Sequence, residues 1–171
     1  RLGSLLPAGA LVIGWRVVYT MLGYGVSDSG LYIDPIRDPV LYFLGVLERG
    51  PILLFGQLGF PPSEVYSFFS DPTQNIALGV ALLFLVAIGV LVYPLLKKDR
   101  VAAFWALGML LAIIPATALS IPSQRLLFFV GLGAMGMLAA FFGGLVRKAD
   151  WVPQSRGWRR FAWVFFAILM V

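Results

Sequence analysis

The residues able to do chemistry in this chain are few, and they gather in two places. Asp34-Pro35-Ile36-Arg37-Asp38 sets two carboxylates and a guanidinium within five positions, and Asp28 lies just upstream in Ser27-Asp28-Ser29-Gly30. Pro122-Ser123-Gln124-Arg125 brings an amide and a guanidinium to the start of a long apolar stretch. A carboxylate beside a membrane surface can act as a general base or hold a divalent cation. An arginine at that depth can grip a phosphate through two parallel N–H donors. Asp34 and Asp38 are therefore the candidate catalytic acids, and Arg125, Gln124 and Arg37 the candidate substrate-binding residues. Together they would suit a phosphate carried by a lipid. The same residues also have structural uses, since Asp-Pro pairs are ordinary turn and cap chemistry and Arg37 can simply neutralise its neighbours.

The sequence holds neither cysteine nor histidine. This excludes disulfides, thiolate nucleophiles, histidine acid–base chemistry, haem ligation through histidine and ordinary zinc sites. No cofactor is expected, and any metal would be a hard divalent cation on carboxylates.

What must position these residues is a set of apolar helices. Residues 76–96, 101–121 and 126–146 are three stretches of 21 residues without a single charge. Each would rise about 31 Å as a helix, which matches a hydrocarbon core of roughly 30 Å. Hydrophobic residues make up 60 % of the chain and charged ones 12 %, with a mean hydropathy of +0.92; a soluble domain carries about 25 % charged residues. The expected fold is all-α, a polytopic transmembrane bundle with short interfacial helices in an outer loop. It reads as a single membrane domain over 1–171, with spans at about 2–23, 76–96, 101–121 and 126–146 and the start of another at 161–171. Because the chain opens on Arg1 and stops eleven residues into that last run, it is expected to be a fragment of a longer protein.

Charge sets the expected orientation. Lys97-Lys98-Asp99-Arg100 forms one basic loop, and Arg147, Lys148, Arg156, Arg159 and Arg160 form another around Asp150 alone. Basic residues collect in cytoplasmic loops, so 97–100 and 147–160 should face the cytoplasm and the Arg125 turn the opposite side. The outer loop 24–75 holds six of the eight acids against Arg37 and Arg49. The sequence pI of about 9.9 is thus explained by loops beside spans, where the partner is the bilayer, and no nucleic acid is expected. In the first span Pro7 interrupts the apolar run and Arg16 stands beside Trp15, Tyr19 and Tyr24, as a snorkelling cation in an aromatic belt would.

Residues 39–60 are apolar but contain Glu48-Arg49-Gly50-Pro51. A span there would bury the ion pair at mid-membrane and reverse both basic loops. Two short interfacial helices broken at Gly50-Pro51 are expected instead, with Asp38 as N-cap and Pro39 at the first helical position. Leu44, Leu47, Leu53, Leu54 and Phe55 should supply their buried surface. Small residues recur every four positions at Gly136, Ala140 and Gly144, with Ala139 and Gly143 alongside, and again at Gly108, Ala112 and Ala116. Such faces let helix backbones approach closely. Pro115 should kink its helix, with Thr117 and Ser120 near enough to satisfy the loosened backbone. Spans between Ile76 and Val146 hold no ionisable group, which argues against a proton pump or ion-coupled carrier in this part.

Leu22-Gly23-Tyr24-Gly25 with Ser29-Gly30-Leu31-Tyr32-Ile33-Asp34-Pro35 and Asp38-Pro39, and then Pro122-Ser123-Gln124-Arg125-Leu126-Leu127-Phe128-Phe129-Val130-Gly131-Leu132-Gly133-Ala134-Met135-Gly136, resemble a family of bacterial polytopic inner-membrane proteins over most of 12–146. The resemblance implies further helices ahead of Arg1 with a fold similar to C-type (GT-C) glycosyltransferases. In those enzymes an acid on the first outer loop is catalytic. That loop would precede this chain, so no family residue is carried over. The resemblance implies a transferase using a polyprenyl-phosphate sugar at the extracytoplasmic face. The alternatives are a non-enzymatic transmembrane subunit of a larger complex and, more weakly, a transporter of a lipid-like substrate, which would favour broken helices meeting at the midplane.

The charge pattern makes a direct prediction. Cysteines introduced at Ser67 and Ser155 should react with a membrane-impermeant maleimide from opposite sides of the membrane. Labelling of both from one side would overturn the assigned orientation.

Overall fold

The computed structural model describes residues 2–24, 30–59 and 61–169. Its elements are all helical, with no strand among the described residues. The chain divides into two compact units, Arg1–Tyr32 and Ile33–Val171.

The first unit is a 3-10 turn, Leu2–Leu5, leading into α1, Leu6–Met21. Pro7 does not interrupt this helix but opens it, in the first turn where a missing N–H costs nothing. The rings of Trp15, Tyr19 and Tyr24 stack in sequence, with centroids 5.0 and 5.7 Å apart, and Arg16 is exposed beside them.

The second unit holds α2 (Pro39–Leu58), α3 (Asp71–Lys98), α4 (Arg100–Ala116), α5 (Phe128–Arg147) and α6 (Arg156–Leu169), with 3-10 turns at Ser63–Phe68 and Gln124–Leu126. Three of these helices, α2, α3 and α5, are long and apolar enough to cross a membrane. Asp99 alone separates α3 from α4. Its carboxylate accepts from the N–H groups of Val101 (2.8 Å) and Ala102 (3.1 Å), capping two of the donors that a helix N-terminus leaves orphaned. The expected span 101–121 is shorter than its apolar run: α4 stops at Ala116. Pro115 sits in its last turn and so does not kink a continuing helix. The Thr117 hydroxyl bonds back to the Ile114 carbonyl at 2.7 Å, an alternative to further helix. The helix expected to start at 161 begins instead at Arg156, capped by Ser155, and so takes in Arg159 and Arg160.

The tightest seam joins α4 to α5. A Cβ on Gly133 would lie 2.8 Å from both the Met109 nitrogen and the Trp105 carbonyl oxygen, and one on Gly136 would lie 2.5 Å from the Trp105 ring. Gly136 therefore faces another helix, as its spacing implies. Gly144 meets Trp151 in the turn after α5 instead, while Gly108 and Gly143 have no atom near enough to obstruct a side chain. Gly133, the closest backbone approach, lies outside the four-residue pattern. Around this seam the buried core runs from Val130, Ala134, Met137 and Phe141 of α5 to Leu91, Val92 and Leu95 of α3, with Ala162 and Phe165 of α6 closing it. Phe141, Trp151 and Trp158 form an aromatic cluster beneath, with centroids 5.5 to 6.2 Å apart. Lys98 Nζ donates to the Asp150 carbonyl at 3.1 Å, so both basic loops share one end of the bundle, here the basic end. The segment 117–127 occupies the opposite, turn end.

Residues 39–58 correct the sequence expectation. They form one helix that continues through Pro51. Its route explains why. Tyr42 Oη donates to the Ile114 carbonyl at 2.7 Å, Arg49 Nη1 to the Ser120 carbonyl at 3.2 Å, and Gln124 Nε2 to the Gly56 carbonyl at 3.2 Å. Tyr42 to Gly56 is about 21 Å of helix, yet all three contacts fall within the turn end. So α2 runs obliquely past the end of α4, while against α3 it packs as far as Phe84, midway along that helix. The helix also has a strongly different environment at its two halves: Leu53 and Leu54 are buried and Phe55 packs partly, while Leu44 and Leu47 are exposed.

The seam gives a paired test. Gly133→Ala should destabilise by about 1–3 kcal/mol, because backbone on both sides cannot yield. Gly143→Ala should be neutral or stabilise by up to about 1 kcal/mol, since only the glycine's chain entropy changes. Thermal unfolding in detergent separates the two.

Candidate functional site

At the turn end, Glu64 organises the loop that carries Arg125. It stands in the 3-10 turn Ser63–Phe68. Its Oε1 accepts from the Gln124 backbone N–H at 2.7 Å and from the Ser123 hydroxyl at 3.3 Å. Partial burial alone would raise the Glu64 pKa. The Gln124 N–H, its own N–H, the Ser123 hydroxyl and the Arg125 charge outweigh that and hold it below the ordinary glutamate value. The amide of Gln124, freed from the loop backbone, reaches the Gly56 carbonyl near the end of α2, where helical carbonyls lack partners. Nearby, Tyr66 donates to Glu48 at 3.3 Å, and burial first, then the Glu48 charge, raise the Tyr66 pKa.

A groove of about 390 Å³ opens beside this loop. Gln57 and Gln124 form its polar mouth, and Leu127, Phe128, Leu132 and Met135 form its apolar wall over Gly131. Arg125 is exposed next to it. The arrangement can take an amphiphile, with amides and a cation for the head and an apolar wall for the tail.

The expected site residues separate. Arg125 is not in the first turn of a long helix: it lies in the short 3-10 turn Gln124–Leu126, and α5 starts at Phe128. The helix dipole is therefore not aimed through Arg125. Asp38 is the residue before α2, as expected, but its side chain makes no capping bond. Asp34 Oδ1 accepts from the Ile36 N–H at 2.8 Å, closing an Asx turn, and the Asp34 carbonyl accepts from the Asp38 N–H. Arg37 is exposed. This segment is anchored by the Ile33 N–H to the Ala118 carbonyl at 2.8 Å. Gly56, which Gln124 touches, lies about 27 Å along α2 from Asp38. The acid that meets the Arg125 loop is thus Glu64, which the sequence reading did not select. Asp28 lies outside the described residues. Among the described residues no three acidic side chains converge as a metal site would require.

The other residue missed is Arg49. It is only 9 % exposed. A Cβ on Gly45, one turn earlier, would strike its guanidinium. Only Gly45 makes room for that group to fold back along the helix. A glycine four residues before an arginine in an apolar stretch was the available signal; the Gly50-Pro51 pair that follows read as a helix break and hid it.

Comparison with known protein families, curated proteins and solved structures finds no match to this chain.

The lowered Glu64 pKa has a definite sign. Its bonds stabilise the fold above the ordinary glutamate pKa, about 4.3, and that contribution is lost as pH falls through the depressed folded value. Wild type should exceed Glu64→Gln by about 1–2 kcal/mol near neutral pH, and the gap should shrink below about pH 4. A gap unchanged by acid would contradict the assignment.

Proposed function

We propose that this chain is part of a multi-pass membrane protein that engages a phosphate-bearing lipid at its turn end, in the manner of a GT-C-like glycosyltransferase using a polyprenyl-phosphate sugar donor. Membrane residence is supported by the helix perimeter as well as by hydropathy. Large apolar side chains point outward all round, among them Leu83 at 72 % and Phe129 at 69 % exposure. So extensive an exposed apolar surface supports burial against lipid or another apolar partner. The grouping of Lys97, Lys98, Arg147 and Lys148 at one end favours a cytoplasmic basic end and an extracytoplasmic turn end.

The observation that carries the substrate reading is the groove. Its mouth presents two carboxamides with Arg125 beside them, and its wall is apolar, the profile of a headgroup joined to a chain. A reading as a non-enzymatic subunit draws on a different fact. Asp34 closes a turn and the Asp38 side chain makes no cap, both at the far end of α2, while the exposed apolar half of α2 offers a face to another protein.

Binding of a fluorescent polyprenyl phosphate to the purified protein in micelles decides between them. Gly131→Leu should fill the groove and Arg125→Lys should lose the bidentate fork, each weakening binding at least about tenfold, or about 1.4 kcal/mol. Unchanged binding with Arg125→Ala would remove Arg125 from the site and leave the subunit reading ahead.

A further inference from the structure

A second groove, of about 380 Å³, lies between α3 and the first turns of α6. Ala87, Val90 and Leu91 form one wall, and Gly157, Trp158 and Phe161 the other. Among the described residues that line it, the only polar side-chain group is the Trp158 indole N–H. A peptide strand or a sugar would leave polar groups unmet there; an acyl chain has none to satisfy. Gly157 keeps the α6 wall low, since a Cβ on it would meet only the Ser155 Oγ, at 3.9 Å. One face of α6 holds it to the bundle: Ala162 and Phe165 are buried, and Trp158 and Leu169 pack against the same core. Arg156 and Arg160, four residues apart, share the opposite, exposed face. Arg160 and Gly157 are three apart and so adjacent on the helix surface, which sets Arg160 at the edge of the groove. On α3, Lys97 is exposed on the same face as Val90, about two turns nearer the basic end.

The charge around the groove indicates its occupant. Loops 97–100 and 147–160 hold eight cations against Asp99 and Asp150, and the Asp99 carboxylate is engaged in capping α4. Lys97, Lys98 and Arg147 sit in the last turns of their helices, where the helix dipole favours a cation. Arg156 and Arg159 stand in the first turn of α6, where the dipole disfavours one. Helix stability does not account for them, whereas an anion beside them does. We infer that the groove between α3 and α6 takes an acyl chain of an anionic phospholipid from the adjoining leaflet, with Arg156 and Arg160 on its phosphate. This rests on the membrane reading above and is independent of the turn-end groove, which lies at the other end of the bundle.

The purified protein in maltoside micelles tests this by thermal unfolding. Phosphatidylglycerol and phosphatidylcholine with identical acyl chains are each titrated at fixed ionic strength. Phosphatidylglycerol should raise Tm saturably, since a ligand that binds only the folded state stabilises it, and phosphatidylcholine should act at least tenfold more weakly. Gly157→Leu should fill the groove and weaken the phosphatidylglycerol response at least tenfold. The double variant Arg156→Gln/Arg160→Gln should do the same and erase the preference between the two lipids. Two controls should respond as wild type: Arg100→Gln/Lys148→Gln, which removes equal charge from the same end, and Gly131→Leu, which closes only the turn-end groove. A wild-type response in Gly157→Leu or in the double arginine variant overturns the site, as does an equal loss in either control. Equal responses to both lipids, or none, also overturn it and leave the groove to another occupant, such as a helix of a partner protein. Protein that stays monodisperse without detergent would overturn the membrane reading itself.

Discussion

The carbonyl end of α4 is the constraint around which the turn end is built. A helix leaves its last four carbonyls without partners, and in an apolar setting water does not supply them. Here the chain supplies donors from several places. Thr117 turns its own N–H and hydroxyl back onto Ile113 and Ile114, and Tyr42 reaches Ile114; in the turn just past the helix, the Ile33 N–H takes the Ala118 carbonyl and Arg49 that of Ser120. Two of those donors are side chains of α2. They can reach only if α2 lies across the end of α4 and not beside its length. The oblique course of α2 past α4 and the burial of its arginine go with these two contacts.

The remainder of the bundle supports this lid from below. Glycines 133 and 136 bring α5 against Trp105 and the backbone of α4, where close dispersion contacts hold the two apolar helices together. With α4 and α5 locked, the turn between them is short of freedom, and Glu64 fastens it further through Gln124 and Ser123. Polar groups at this end are spent mainly on one another. Among the described residues, those with unused capacity include the Gln57 amide, the exposed Arg125, the Ser63 hydroxyl and the inner edge of Arg49. That distribution is why the functional reading centres on binding an oxyanion and not on an acid–base pair.

Asp34 and Asp38 show what position adds to residue type. Two carboxylates flanking an arginine look like chemistry. In the fold one of them closes an Asx turn, and both sit where α2 begins, a helix length from the Arg125 loop. Glu64, unremarkable in sequence between two prolines and a tyrosine, is the acid brought to Arg125 because the chain doubles back after α2.

The sequence by itself determined the helical class, the apolar segments, the Asp99 break between α3 and α4, the grouping of basic loops and the close approach at Gly136. Each rests on local composition or on a period that a single helix imposes. Tertiary structure decided the continuity of α2 through Pro51, the early end of α4, the contact at Gly133, and the pairing of Glu64 with 123–125. These depend on which backbone donors and acceptors meet across tens of residues. A proline removes only one N–H, and packing on both sides of Pro51 holds the helix through it. Arg49 looked like a break in an apolar run because its partners, the space over Gly45 and the carbonyl of Ser120, exist only once α2 lies across the bundle.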